Sequence, residues 1–353
     1  MSMKTEQKNQ NGRNGRNNRT IVIFWLSFLF GLFQLVVPMF FRLYDLQLRS
    51  IHVLFGLTIV LLLYPSGKDK ESANISVLEV ILIAIIFIAN INIFIHWKDI
   101  YMYSSDPTIW DLLLGIVLMI LIVDLARRAT GWGIPICVVG IFVYVFIGPL
   151  LPGSWAHPGF PFDFVIGGIY KSYLGIYGSI TGNLATYIAM FLIFGALLSA
   201  TGSGKTCIEL ALLIGGRFVG GPAKTAVVSS AMFGTISGST VANVALTGSY
   251  TIPLMTSLGY DPNFAGGVEA IASAGGGITP PIMGISAFVM ASLINIPYIQ
   301  IIGYALIPCI LFYTSVMSGV HFRALQLNLK PVPTDQIPKL RDVITVSKLL
   351  PLF

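Results

Sequence analysis

Charged residues are scarce in this chain. Only 10% of its 353 residues are Asp, Glu, Lys or Arg, whereas a soluble domain carries about 25%. Hydrophobic residues make up 55% of the chain, and its mean hydropathy is +0.81. This composition excludes an ordinary soluble domain. It predicts an all-α, polytopic protein whose helices lie in a lipid bilayer, where helices satisfy their own backbone hydrogen bonds.

Cysteine is also scarce. The three residues, Cys137, Cys207 and Cys309, all lie in or beside apolar segments. Their spacing excludes a disulfide framework and a cysteine metal site, so we expect them to pack as small hydrophobic residues.

The first twenty residues are polar and basic, and they lack the short apolar core and cleavage site of a signal peptide. An apolar run long enough to span a bilayer begins at Ile21. Basic residues beside a membrane span usually set its orientation, so the net charge of +6 does not indicate a nucleic-acid partner. We predict a cytoplasmic N-terminus.

Residues 231–243 read AMFGTISGSTVAN and lie between apolar segments. Backbone that leaves the helix at membrane depth is tolerated only where protein, water or an ion satisfies it, so this stretch predicts a re-entrant tip. Small residues could instead serve helix packing, but packing does not explain why hydroxyl groups and glycines cluster here. We therefore favour a binding role for Ser237, Gly238, Ser239, Thr240 and Asn243.

A second interruption lies at 274–282, which reads AGGGITPPI. We predict a broken helix here, with Gly275, Gly276, Gly277, Thr279 and Pro280 as site residues. Two broken elements in one membrane domain indicate an ion or substrate site.

Glu269 precedes the second interruption by five residues. An acidic side chain within a membrane is a functional candidate. The alternative is that it caps a helix starting near Phe264, close to the headgroups, where a negative charge favours the helix N-terminus. We expect the capping role.

The distribution of basic residues tests the topology. If 224–253 is a hairpin that enters and leaves on one side, only Arg42, Arg49, Lys98 and Lys171 of the 21 Lys and Arg residues lie outside. If that hairpin were a full crossing, the basic C-terminal segment would be external. Because basic residues concentrate on the cytoplasmic side, the count favours a re-entrant hairpin.

Three stretches resemble a known family: GGPAKTAVVSSA at 220–231, GTISGSTVANV at 234–244 and PPIMGISAF at 280–288. They are similar to the DctM-like large membrane subunit of TRAP transporters. The closest type is the fused permease of four plus twelve helices that works with TAXI-type binding proteins. The resemblance covers most of the chain.

This resemblance implies a sodium-driven, elevator-type secondary transporter of the cytoplasmic membrane rather than an enzyme. An extracytoplasmic TAXI-type binding protein would deliver an organic acid to it. Residues 237–243 would form the tip of the first helical hairpin and 275–281 the matching break. The coupling ion would be Na⁺, with no other cofactor, and its ligands would include Ser237, Ser239, Asn243 and Thr279. Neutral hydroxyl, amide and carbonyl oxygens suit such a hard cation.

We expect four segments: a basic tail at 1–20, a small-subunit-like four-helix region at 21–130, a first-repeat transport region at 131–322 and a cytoplasmic tail at 323–353. A short loop is expected at 42–50. Fused members of the family carry a second, inverted copy of the hairpin and break, and this chain ends just past one copy. We therefore expect either a second chain that supplies the other repeat or a truncated product.

Two other functions stay open at this point. Glycine-rich re-entrant loops also build channel filters, so a channel formed by oligomerisation is one alternative. A non-transporting membrane protein is the other, but it leaves the two interruptions without a role.

Overall fold

The computed structural model describes residues 2–41, 43–65, 75–103, 107–329, 331–334 and 337–343. Within these ranges the regular structure is helical and there is no β-strand, which confirms the all-α prediction. The chain divides into two compact units, Met1–Thr186 and Tyr187–Phe353. The four segments expected from the sequence stay predictions.

Seven helical segments of the described chain are long and apolar enough to cross a bilayer. They are Arg19–Phe40, Asp45–Leu63, Val77–Ile95, Ile109–Thr130, Gly133–Leu150, Ser179–Leu197 and Tyr298–Gln326. The chain is thus a multi-pass membrane protein, as its composition predicts.

The first unit contains eight α-helices among its described residues. They are α1 (Ser2–Phe40), α2 (Asp45–Leu63), α3 (Val77–Ile95), α4 (Trp97–Tyr103), α5 (Ile109–Thr130), α6 (Gly133–Ile147), α7 (Phe162–Tyr170) and α8 (Ser179–Asn183). A π-helical turn, Leu184–Ile188, follows α8.

The loop expected at 42–50 is wrong beyond Tyr44, because α2 already begins at Asp45. Arg49 therefore lies on a helix, where its guanidinium donates to the Tyr177 carbonyl oxygen at 2.9 Å and lies over the Tyr173 ring. A basic residue near the start of a span suggests a loop from sequence. Here the guanidinium is satisfied by these distant contacts together with the Asp45 carboxylate, which lies one turn earlier in α2 at 3.5 Å.

Polar contacts join the helices of the first unit. The buried Asp111 carboxylate accepts from the Lys171 ammonium at 2.6 Å and from the Asn92 amide at 2.8 Å. The Tyr170 hydroxyl donates to the Ala89 carbonyl oxygen at 2.7 Å. These bonds link α3, α5 and α7 at positions where a membrane helix could not leave polar groups unpaired.

The second unit contains eight further α-helices among its described residues. They are α9 (Ala189–Ala200), α10 (Ser203–Gly215), α11 (Gly221–Ser237), α12 (Thr240–Ser257), α13 (Pro262–Ala274), α14 (Ile285–Leu293), α15 (Tyr298–Gln326) and α16 (Leu340–Val343). The last part of the predicted tail, 344–353, lies outside the described residues.

Small side chains let the helices of the second unit pack closely. Its main core contains Ala223, Ala226, Ala265, Ala272 and Ala324, all fully buried. Helices α11 and α12 are joined at Gly238 and Ser239 and pack along each other and against α13. Because α11 and α12 pack along each other on either side of this junction, the interruption predicted at 231–243 is the turn of a helical hairpin.

Candidate functional site

The hairpin turn consists of one left-handed glycine and one capping serine. Gly238 ends α11 with φ of 58°, a conformation that favours glycine. Ser239 begins α12, and its hydroxyl accepts from the Ala242 N–H at 3.3 Å. A Cβ on Gly238 would also collide with the carbonyl group of Met283. The turn therefore requires glycine both for its backbone angle and for the chain that lies against it.

The second interruption is a 3-10 turn, Gly275–Ile278, followed by a folded loop and then by α14. The Thr279 hydroxyl donates to the Gly275 carbonyl oxygen at 2.6 Å, and the Gly284 N–H donates to the Gly277 carbonyl oxygen at 2.8 Å. On α15, the Tyr313 hydroxyl donates to the Ala272 carbonyl oxygen at 3.2 Å. These bonds satisfy backbone groups that the broken helix exposes, and they confirm a helix break at this point.

The two interruptions meet where Gly234 of α11 crosses Gly276. A Cβ built on Gly276 would lie 3.0 Å from the Gly234 Cα and 3.2 Å from the Asn243 Nδ2. Asn243 is fully buried, and its amide nitrogen donates to the Ser230 carbonyl oxygen at 2.9 Å. The backbones approach this closely because neither glycine has a side chain, and the Asn243 amide lies beside the crossing.

Next to Asn243 lies a buried carboxylate. Glu269 is 0% exposed and sits well inside α13. The capping role expected for it is wrong, because Asp261 holds the N-cap and accepts from Asn263 N–H at 2.9 Å and Phe264 N–H at 3.2 Å.

Four hydroxyl groups surround the Glu269 carboxylate. Oε1 accepts from Ser230 at 3.1 Å, from Ser273 at 2.9 Å and from Thr247. Oε2 accepts from Thr251 at 2.5 Å. The donors come from α11, α12 and α13, so one carboxylate connects all three helices.

Among the residues that the structure describes, no Lys, Arg or His pairs with Glu269. A buried carboxylate without hydrogen bonds would be strongly unfavourable, and the hydroxyl groups offset part of that cost. They are neutral, however, so they would not balance the charge of an ionised carboxylate at this position. The arrangement is suited to a cation rather than an anion.

The family described as "Tripartite ATP-independent periplasmic transporter, DctM component" matches residues 116–353 of this chain. That match covers well over half of the chain. The chain belongs to the DctM family.

Curated relatives agree with this family. Over 146 residues, the chain is 30% identical to the C4-dicarboxylate TRAP transporter large permease protein DctM of Vibrio cholerae, covering 41% of this chain and 32% of the relative. It is 28% identical over 156 residues to the 2,3-diketo-L-gulonate TRAP transporter large permease protein YiaN of Escherichia coli, covering 44% and 36%. An uncharacterized protein, y4mL of Sinorhizobium fredii, is 31% identical over 148 residues, covering 42% and 35%. The aligned parts span about a third of each relative.

In this DctM-family chain, the predicted site residues divide into two groups. Gly276 and Asn243 meet at the crossing, with Gly275 in the adjoining turn, and Gly238 contacts the loop after the break. By contrast, a Cβ on Gly277 would meet nothing within 4 Å. Thr240 is half-buried at the start of α12, and Pro280 forms a cis peptide bond with Pro281.

The four predicted sodium ligands already make hydrogen bonds within the chain. The Ser237 and Ser239 hydroxyls accept from backbone N–H groups at 3.4 and 3.3 Å. The Thr279 hydroxyl donates to a carbonyl oxygen, and Asn243 donates through its nitrogen. Each of these side-chain oxygens keeps a lone pair that a cation could use. Their role as ligands stays a prediction.

No group of three or more His, Cys, Asp or Glu side chains in the described chain could hold a metal ion. A hard monovalent cation does not need such a group, because hydroxyl, amide and carbonyl oxygens can ligate it. Glu269 is the one acidic side chain described beside the crossing, and its position near a predicted helix start suggested a capping role that is wrong. The signal available for it was the spacing of Asn243, Thr247 and Thr251, which places three polar groups on one face of α12.

Proposed function

We propose that this chain is the permease part of a sodium-coupled secondary transporter that imports an organic acid with the help of an extracytoplasmic binding protein. One observation carries the proposal: the hairpin turn and the helix break, separate in sequence, meet at Gly234, Gly276 and the Asn243 amide. Interrupted helices that meet inside a membrane domain supply carbonyl oxygens and helix ends for ions and substrates.

Support for the substrate class comes from the relatives and from the helix ends. Two relatives are named for C4-dicarboxylate and 2,3-diketo-L-gulonate, which are both carboxylates. The hairpin turn starts α12 and the break is followed by the start of α14, so two helix N-termini adjoin the interruptions. Helix N-termini favour carboxylates, while freed carbonyl oxygens favour a cation. We therefore propose a carboxylate substrate and sodium as coupling ion. The TAXI-type binding protein is proposed as partner from the resemblance of the sequence to fused permeases.

Transport itself tests this function. The assembly that contains this chain is reconstituted in liposomes with its binding protein, and uptake of a radiolabelled carboxylate is measured with an inward sodium gradient. A carrier shows sodium-dependent uptake that unlabelled substrate on the opposite side stimulates, whereas a channel shows no such stimulation. Uptake that ignores the sodium gradient contradicts sodium coupling.

Asn243→Ala tests the site within that assay. Loss of one buried polar partner should raise the sodium concentration for half-maximal uptake by roughly 5- to 150-fold, equivalent to about 1–3 kcal/mol. Ser249→Ala is the matched control, because Ser249 is exposed on the same helix and its hydroxyl donates to the Leu246 carbonyl oxygen at 2.8 Å, one turn back in that helix. An unchanged sodium dependence in Asn243→Ala would remove this residue from the site.

Orientation is a separate part of the proposal: the N-terminus and the end of α15 are cytoplasmic. In a background with the exposed Cys137 replaced by serine, Gln326→Cys should react with a membrane-impermeant maleimide only from the cytoplasmic side. Ser154→Cys should react only from outside. Both positions are exposed. External labelling at Gln326 would mean that the hairpin crosses the membrane.

A further inference from the structure

Thr247 has one hydroxyl hydrogen and four oxygen atoms within reach of it. They are the Asn243 carbonyl oxygen at 2.8 Å, the Asn243 Oδ1 at 3.2 Å, the Ser230 hydroxyl oxygen at 3.3 Å and the Glu269 Oε1. A hydroxyl group donates only once, so these acceptors compete. An ionised carboxylate is the strongest acceptor of the four, because hydrogen bonds to charged groups are about twice as strong as neutral ones. The hydrogen therefore points to Glu269.

The direction of this hydrogen bond decides whether the Asn243 Oδ1 is free to bind a cation. The Asn243 Nδ2 donates to the Ser230 carbonyl oxygen, which fixes the amide orientation. Once Thr247 donates to Glu269, no other described group donates to the Asn243 Oδ1. Both the Thr247 Oγ1 and the Asn243 Oδ1 then present lone pairs at a separation of 3.2 Å. That separation is about the edge of an octahedron of oxygens around a cation at ~2.3 Å.

We propose that Glu269 is a positioning residue for the coupling cation: it takes the Thr247 hydroxyl hydrogen and leaves the Asn243 Oδ1 open as a ligand. This inference rests on the proposed sodium coupling. The carboxylate also supplies the negative charge that balances the bound cation. Its other donors, Ser230, Thr251 and Ser273, keep it in place without adding a positive charge.

A neutral isostere reverses this arrangement. In Glu269→Gln, the new amide group can donate to the Thr247 oxygen, so the Thr247 hydrogen turns to the Asn243 Oδ1 and occupies it. Thr247→Val removes the connection altogether and keeps a similar shape. Thr247→Ser keeps the hydroxyl group and should behave like the wild type.

The experiment measures thermal unfolding of the purified chain in detergent as sodium chloride replaces choline chloride. A ligand that binds the folded state raises the melting temperature, so the sodium midpoint reports binding without any transport step. We expect the midpoint to rise about tenfold or more in Glu269→Gln and in Thr247→Val. Thr247→Ser and the exposed control Ser249→Ala should stay near the wild type.

The double variant separates positioning from a purely structural role. If Glu269 acts through Thr247, the double variant should have the same sodium midpoint as Thr247→Val alone. Additive shifts would instead mean independent effects and would overturn the inference. If Glu269→Gln fails to fold, Thr247→Val can still be compared with Thr247→Ser. Equal sodium midpoints in these two variants would contradict a role for the Thr247 hydroxyl and overturn the inference.

Failure of the inference differs from failure of the proposed function. If sodium stabilises the wild type and every variant at the same midpoint, Glu269 has no positioning role and sodium coupling stands. If sodium and choline affect the wild type equally, sodium coupling is wrong and the inference falls with it.

Discussion

The two compact units bury their acidic side chains in different ways. In the first unit, Asp111 lies 2.6 Å from the Lys171 ammonium, and Glu79 lies 2.9 Å from the Arg19 guanidinium. In the second, Glu269 is surrounded by hydroxyl groups, and no basic side chain of the described residues pairs with it. The first unit thus pairs its buried acids with basic side chains, whereas the second surrounds its buried acid with neutral hydroxyl groups.

Position along the helix explains why only one of these arrangements needs a function. Glu79 and Asp111 lie in the first turns of α3 and α5, where each accepts from the backbone N–H of the N-cap residue. An acid there satisfies free N–H groups and the helix dipole, so its presence is explained by structure. Glu269 lies well inside α13 and caps nothing. A carboxylate that stabilises only by its hydroxyl bonds could be replaced by apolar packing, so a cation partner is the better account.

The largest effect that this comparison predicts is in the first unit. Lys171→Met leaves the buried Asp111 carboxylate without its cation, and breaking a buried pair in this way costs about 3–5 kcal/mol. Both side chains are less than a tenth exposed, at 9% and 6%. Thermal unfolding in detergent should show a clear drop in melting temperature that does not depend on sodium.

Two variants control this prediction. Lys98→Met removes an exposed lysine that only lies over the Trp97 ring, so it should change stability by less than about 1 kcal/mol. Asp111→Asn combined with Lys171→Met removes the uncompensated charge and should recover part of the loss. A Lys171→Met protein as stable as the wild type would mean that the pair is not a structural element of the first unit.

A second prediction concerns packing in the second unit, and it uses a substitution that changes no charge. A Cβ on Gly234 would lie 2.6 Å from the Gly276 Cα, so Gly234→Ala must push the two interruptions apart. Overpacking of this kind costs about 1–3 kcal/mol, and it should also abolish most sodium-dependent uptake because the Asn243 amide lies at the crossing. Gly267→Ala is the control, since Gly267 is exposed on α13 and its Cβ would meet open space. Equal uptake in both variants would contradict a functional crossing.

Much of the fold could be predicted from the sequence because membrane helices depend on local composition. Apolar runs mark the spans, and the glycines and hydroxyl residues at 234–243 mark a place where a continuous apolar helix is unsuitable. The start of α2 was predicted wrongly, because Arg49 bonds to the Tyr177 carbonyl oxygen, 128 residues away in the chain, as well as to Asp45 on its own helix. Local patterns carry no information on such contacts.

The site could be predicted only in part for the same reason. Both interruptions were located correctly, since each is a contiguous run of unusual residues. The Glu269 cluster was missed because two of its donors, Ser230 and Thr247, lie 39 and 22 residues away on other helices. The spacing of Asn243, Thr247 and Thr251 indicates a polar face on α12, but packing decides which helix that face meets. A carboxylate near a predicted helix start therefore suggested a cap, while Asp261 holds that position.

The smallest predicted effect compares two N-cap serines, one in each unit. The Ser76 hydroxyl accepts from the Leu78 N–H at 3.3 Å at the start of α3, and the Ser239 hydroxyl accepts from the Ala242 N–H at 3.3 Å at the start of α12. Replacing an N-cap serine by alanine typically costs about 1 kcal/mol, so both variants should lose similar stability in choline chloride.

The two serine variants should respond differently to sodium. A capping hydroxyl oxygen keeps a second lone pair, so the Ser239 oxygen can accept its cap hydrogen bond and ligate a cation at the same time. Thermal unfolding in sodium chloride should therefore show a larger loss for Ser239→Ala than in choline chloride, because the variant also binds sodium less tightly. Ser76→Ala should lose the same stability in both salts, since its unit carries no part of the proposed site. Equal losses for Ser239→Ala in the two salts would leave Ser239 as a cap alone and limit the proposed ligands to the oxygens around Asn243.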